Sequence, residues 1–150
     1  MNNIKQLSVF LENRPGHLGQ LCRVLAGAGI NIVTQMIADT TEFGITRLII
    51  REWREARELL ERAGFAVKDT DVLAIEVAHE PGGLVRVLDV AAAAGFNIEY
   101  MYAFALACDD ANKALVVIRP DRDAAQAAAA LAAAGIGVLS AETFYSQKKP

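Results

Sequence analysis

The stretch ENRPGHLGQLCRVLAGAGINI, residues 12–32, holds most of a structural unit in one line. Ahead of it Leu7, Val9 and Leu11 alternate, the period of a half-buried strand. Pro15 and Gly16 then make a turn, after which Leu18, Leu21, Cys22 and Leu25 recur at helical spacing. Gly29 stands where a left-handed helix cap belongs, and Asn31 opens a further strand. Strand, turn, helix, strand is the order, and the turn carries more polar chemistry than a plain connector needs.

The stretch has an echo. HEPGGLVRVLDVAAAAGFNIEY, residues 79–100, repeats its pattern at an offset of 66 (81 − 15). Without a gap that offset pairs Leu7 with Leu73, Pro15 with Pro81, Gly16 with Gly82, Leu18 with Leu84, Gly29 with Gly95 and Asn31 with Asn97. Later the offset drifts: Arg51 aligns with Arg119 (68) and Gly64 with Gly135 (71), so small insertions are expected between them. The chain therefore reads as two copies of one unit, residues 1–69 and 70–150, with a seam near 68–71.

In each copy a second strand (about 31–39 and 97–107) and a third (45–51 and 113–119) follow the first helix. Ala56, Leu59, Leu60 and Ala63 mark a second helix in the first copy, and Asp121 is expected to cap an alanine-rich one in the second. A fourth strand closes each copy. The order β-α-β-β-α-β predicts an α+β fold: an antiparallel four-stranded sheet with both helices on one face, the ferredoxin-like plan, present twice. Each copy alone has a thin core, so the two are expected to pair side by side along their sheet edges.

Composition narrows the function. The chain has 150 residues, 53% of them hydrophobic, and Lys+Arg 15 against Asp+Glu 18 leaves a net charge of −3. A nucleic-acid binder would show a clustered basic face, and only Lys148 and Lys149 cluster, at the end. No apolar run approaches a membrane span, and MNNIKQ lacks the apolar core of a signal peptide, so a cytoplasmic protein is expected. Cys22 and Cys108 are too few for a disulfide framework. No Ser-His-Asp, Cys-His or metal-ligand grouping can be placed, so neither catalysis, a cofactor nor a metal is expected. His17 and Cys22, five residues apart, lie on different helix faces.

The turns suit a small ligand. First-turn N–H groups of a helix are unpaired and carry partial positive charge, which can hold a carboxylate. Gly16 and Gly82 permit close backbone approach, Asn13 or His79 can add a hydrogen bond, and Asn31 and Asn97 can meet an ammonium or amide group. Proline-glycine turns and strand-opening asparagines also serve purely structural ends.

With NRPGHL and HEPGGL at the first helix and GINI and GFNI after it, both copies resemble the ACT domain, over about 4–68 and 71–146. That resemblance implies a free-standing tandem regulatory module binding an amino acid or similar small ligand, with the ligand between the first loop of one domain and the second strand of its partner. It implicates Asn13, Arg14, Pro15, Gly16, His17, Leu18 and Asn31, and in the second copy His79, Glu80, Pro81, Gly82, Gly83, Leu84 and Asn97. The facing strands, VTQMIA and EYMYAFA, add Gln35 and Met36 in one copy and Met101 and Tyr102 in the other. The copies differ there, His17 standing against Gly83, so their sites are expected to differ. Whole chains are expected to dimerise, the alanine-rich helix offering one face. The competing reading is a subunit that docks an enzyme of amino-acid metabolism.

Overall fold

The computed structural model describes residues 3–39, 43–104 and 112–146. Cys108, Lys148 and Lys149 lie outside them. The chain divides into two compact units, one of Lys5–Thr70 and one of Asp71–Pro150 with Met1–Ile4.

In the first unit β1 (Ile4–Glu12) leads to α1 (His17–Gly27), β2 (Thr34–Asp39), β3 (Phe43–Ile49) and α2 (Trp53–Arg62). The strands pair antiparallel, β2 to β3 to β1. Leu7, Val9 and Leu11 put one sheet face against Leu21 and Leu25 of α1 and Ala56 and Leu60 of α2, with Phe65 closing the cluster. Burying each leucine contributes about 1.5–3 kcal/mol. This is the face that the alternation in β1 and the helical spacing in α1 foretell. The chain then returns beside β1, where Lys5 Nζ meets Asp69 Oδ2 at 3.2 Å.

β4 (Ala66–Ala78) begins in the first unit and ends in the second, where α3 (Gly83–Ala93), β5 (Ile98–Phe104), β6 (Lys113–Pro120), α4 (Ala124–Ala133) and α5 (Ala141–Ser146) follow it. β6 lies between β4 and β5, again antiparallel. Leu73, Ile75 and Val77 face Val87 and Ala91 of α3 and Ala124, Ala127, Ala128 and Leu131 of α4. The alanine-rich helix thus spends its small-residue stripe on its own unit's core rather than offering it outward.

The seam expected near 68–71 falls within β4, which runs unbroken from Ala66 to Ala78. Several other expectations need correction. The cap of α4 is Asp123, whose carboxylate accepts from Ala125 and Gln126 N–H at 2.9 and 3.1 Å. Asp121 instead clamps Asn97: Asn97 N–H donates to Asp121 Oδ1 at 3.0 Å, and Asp121 N–H donates to Asn97 O at 2.9 Å. The second copy's fourth strand shrinks to a bridge between Val138 and Ile75, and α5, which carried no periodic signal, follows it. The pairing of Leu7 with Leu48 and of Leu73 with Ile118 makes the third-strand offset 70 (118 − 48), so the structural counterpart of Arg119 is Ile49, not Arg51. A slip of two keeps every side chain on its face, which is why the pattern hides it. Gln35 and Met101 keep the offset of 66 (101 − 35), so the four residues of difference (70 − 66) fall between β5 and β6.

Candidate functional site

Both helices that follow the proline-glycine turns begin one residue after the glycine. Gly16 and Gly82 are their N-caps, with φ of 87° and 88°, a left-handed backbone that a residue with Cβ adopts only at a cost of about 1–2 kcal/mol. That conformation, not crowding, requires glycine: a Cβ on either would meet nothing within 4 Å. Pro15 and Pro81 sit in the preceding turn and not in the first helical turn. Among the described residues no side chain caps either helix. Gln20 N–H donates to Gly16 O at 2.9 Å and Arg86 N–H to Gly82 O at 3.3 Å, leaving the amides of Leu18, Gly19, Leu84 and Val85 without a backbone acceptor among the described residues.

The first loop folds back on itself. Arg14 Nε meets Glu12 Oε2 at 2.6 Å. His17 Nδ1 accepts from Glu12 N–H at 3.0 Å. The imidazole lies on Phe65, ring centroids 5.3 Å apart and planes 27° from parallel. His17 therefore covers the end of its own unit's core. Leu18 packs partly into that core, while Asn13 and Asn31 are exposed, Asn31 ahead of β2 rather than within it.

The second loop is open. Gly83 takes the place of His17, and a Cβ there would lie 2.1 Å from Ala78 O, so backbone occupies what a side chain would need. Beside it runs a cleft of about 510 Å³, with Val77, Val87 and Ile136 at its apolar floor and Glu76, Glu80, Arg86 and Lys113 around it. Lys113 Nζ meets Glu76 Oε2 at 2.9 Å. Arg86 Nη2 donates to Ala134 O at 3.1 Å, closing the C-terminus of α4.

Of the expected residues, Glu80, Gly82 and Gly83 reach this cleft. His79, Pro81 and Leu84 border a second groove, which shares Val77, Ala78 and Glu80 with the cleft. Asn97 and Met101 line a third hollow, of about 330 Å³, with Leu88, Phe96 and Tyr100. A bulge between Ile98 and Tyr100 turns both Ile98 and Met101 to the core. Gln35 and Met101 share the helix-facing side of their sheets, where Gln35 Nε2 donates to Thr46 Oγ1 at 3.3 Å. Met36 and Tyr102, one residue on, fall on the opposite face, so no single wall carries all four. Glu76, Arg86, Lys113 and Gly137 were not legible as site residues, because they come from separate parts of the chain. The one usable signal was that Glu76 and Arg86 replace Phe10 and Gln20 of the first copy.

Among the described residues no group of His, Cys, Asp and Glu could hold a metal ion, and no helix is long and apolar enough to cross a membrane.

The sequence pattern described as an ACT domain pair matches residues 2–142. No curated protein matches the chain. A crystallised protein from Bacteroides thetaiotaomicron is 39% identical, covers 97% of this chain over 99% of its own, and superposes with a TM-score of 0.85. The ligand-free regulatory subunit of aspartate kinase from Thermus thermophilus is 18% identical over 88% of this chain and 93% of that one, with a TM-score of 0.62. Its counterpart from Thermus flavus gives 19%, 89%, 93% and 0.63. At such identity these two share the fold. With the family pattern covering nearly all of both repeats, and the same glycine-capped loop in each, the chain belongs to the ACT domain pair family.

Proposed function

We propose that the chain is a non-enzymatic regulatory sensor that binds a free amino acid at its proline-glycine loops. The observation that carries this is the pair of helices whose first-turn amides lack both a side-chain cap and a backbone acceptor among the described residues. Such a terminus favours a carboxylate. Membership of a family whose structural neighbours include regulatory subunits of aspartate kinase supports a signalling role. The loops that offer such termini are Asn13 to Leu18 and His79 to Leu84, with Asn31 and Asn97 following their helices. Cys22 is a free thiol, which suits the reducing cytoplasm.

Titration calorimetry against the twenty protein amino acids tests this. At least one is expected to give saturable heat; silence from all of them would contradict it. Leu84, Val85 and Leu88 on α3 are exposed apolar residues, and we take them as the contact of a homodimer. Sedimentation is expected to show twice the 16.1 kDa chain mass, and a strict monomer at micromolar concentration would refute that. The second reading, a subunit docked on an enzyme of amino-acid metabolism, draws on the same exposed stripe. A co-purifying enzyme together with calorimetric silence would favour it.

A further inference from the structure

The two copies differ at three positions that meet in space. Glu12, His17 and Phe65 of the first unit correspond to Ala78, Gly83 and Ile136 of the second, at offsets of 66 (78 − 12 and 83 − 17) and 71 (136 − 65). In the first unit these residues close on each other: the imidazole stacks on Phe65 and accepts the Glu12 N–H. In the second, one ring is absent, the other is an isoleucine, and Ala78 carbonyl bars any side chain at Gly83. What remains is the cleft of about 510 Å³, inside the range of roughly 300–1,000 Å³ for small-molecule sites.

Its chemistry is mixed in sign. Arg86 and Lys113 bring two cations, Glu76 and Glu80 two carboxylates. Lys113 and Glu76 are turned on each other, whereas Arg86 commits Nη2 to a carbonyl and has more donors in its guanidinium fork. The carboxylate of Glu80 stands in the loop directly before the free amides of Leu84 and Val85. A polyanion would be repelled by the two glutamates and a bare cation by Arg86 and Lys113. A zwitterion satisfies both. Below the charges, Val77, Val87 and Ile136 supply an apolar floor.

We propose that this cleft is the chain's one amino-acid site, and that the first unit's counterpart is closed by its own His17 and Phe65. The ligand is an α-amino acid with an apolar side chain. Its carboxylate meets Arg86 and the first turn of α3, its ammonium group the Glu80 carboxylate, and its side chain the floor at Val77 and Ile136. The site lies within one unit. This rests on the reading of the chain as an amino-acid sensor.

Calorimetry on the full-length chain with each of the twenty amino acids tests it. Apolar amino acids are expected to bind at one per chain. Arg86→Gln and Glu80→Gln, both at exposed positions, are each expected to lower affinity about tenfold or more, since each removes a charge-assisted bond. Ile136→Phe, which gives the second unit the ring of the first, is expected to do the same with the circular dichroism unchanged. His17→Gly with Phe65→Ile is expected to raise the count to two per chain. Two sites in the parent chain, preference for a charged amino acid, or undiminished affinity in both Arg86→Gln and Glu80→Gln overturns the cleft proposal alone. Absence of heat with all twenty overturns the sensor reading and the cleft together, so the two failures are distinguishable.

Discussion

Position 17 and its counterpart 83 show how much one side chain decides. Histidine at 17 has room to lie on Phe65 and accept a backbone N–H; at 83 the Ala78 carbonyl leaves room for hydrogen alone. His17→Ala is therefore expected to cost about 1 kcal/mol, the worth of one hydrogen bond and a ring contact. Gly83→Ala forces backbone apart and is expected to cost about 1–3 kcal/mol or more, as overpacking does. Urea unfolding of the two variants checks the order, and a Gly83→Ala chain as stable as the parent would contradict the close approach. The turns ahead of α1 and α3 were legible in the sequence, whereas the left-handed cap conformation that requires Gly16 and Gly82, in place of the expected close backbone approach, was not. Nor was the Gly83 contact, since Ala78 is brought there only by the return of the chain. The cleft lies beside Gly83, while the place of its absent side chain is filled by backbone.

Among the elements, α4 depends on its ends because its body is mostly alanine. Alanine forms helix well but buries little area per residue, so the four buried side chains Ala124, Ala127, Ala128 and Leu131 give a modest anchor. The Asp123 cap and the Arg86 contact with Ala134 O secure the two termini. Asp123→Ala is expected to cost about 1 kcal/mol and Asp123→Asn much less, as an asparagine oxygen still accepts from the same amides. Thermal melts of the pair decide this, and equal losses would show that charge and not capping matters. Arg122 gives α3 a matching finish, bonding Ala94 O at 3.2 Å and Gly95 O. Helices α1 to α4 and the long strands were readable from periodicity, whose signal accumulates over many residues. The bridge at Val138 and the helix α5 were not, because each is too short to establish a period.

For the whole molecule, duplication supplies two frames and divergence makes them unequal. Repeat symmetry predicts two sites; the side chains leave one loop packed on its own core and the other beside an open cleft. The Pro-Gly loops were legible as the strand–helix junctions of both units, one of which borders the candidate cleft. The charged wall of the cleft was hidden because Glu76 and Lys113 lie on two strands whose register no single stretch reveals, and Gly137 follows a helix far along the chain. Backbone amide chemical-shift mapping during titration with the tightest-binding amino acid measures this most directly. Saturable shifts are expected at Gly82, Gly83, Leu84, Val85, Arg86 and Gly135 to Gly137, with Leu18, Gly19 and Gln20 unmoved. Shifts confined to the first loop, or equal shifts at both loops, would contradict it.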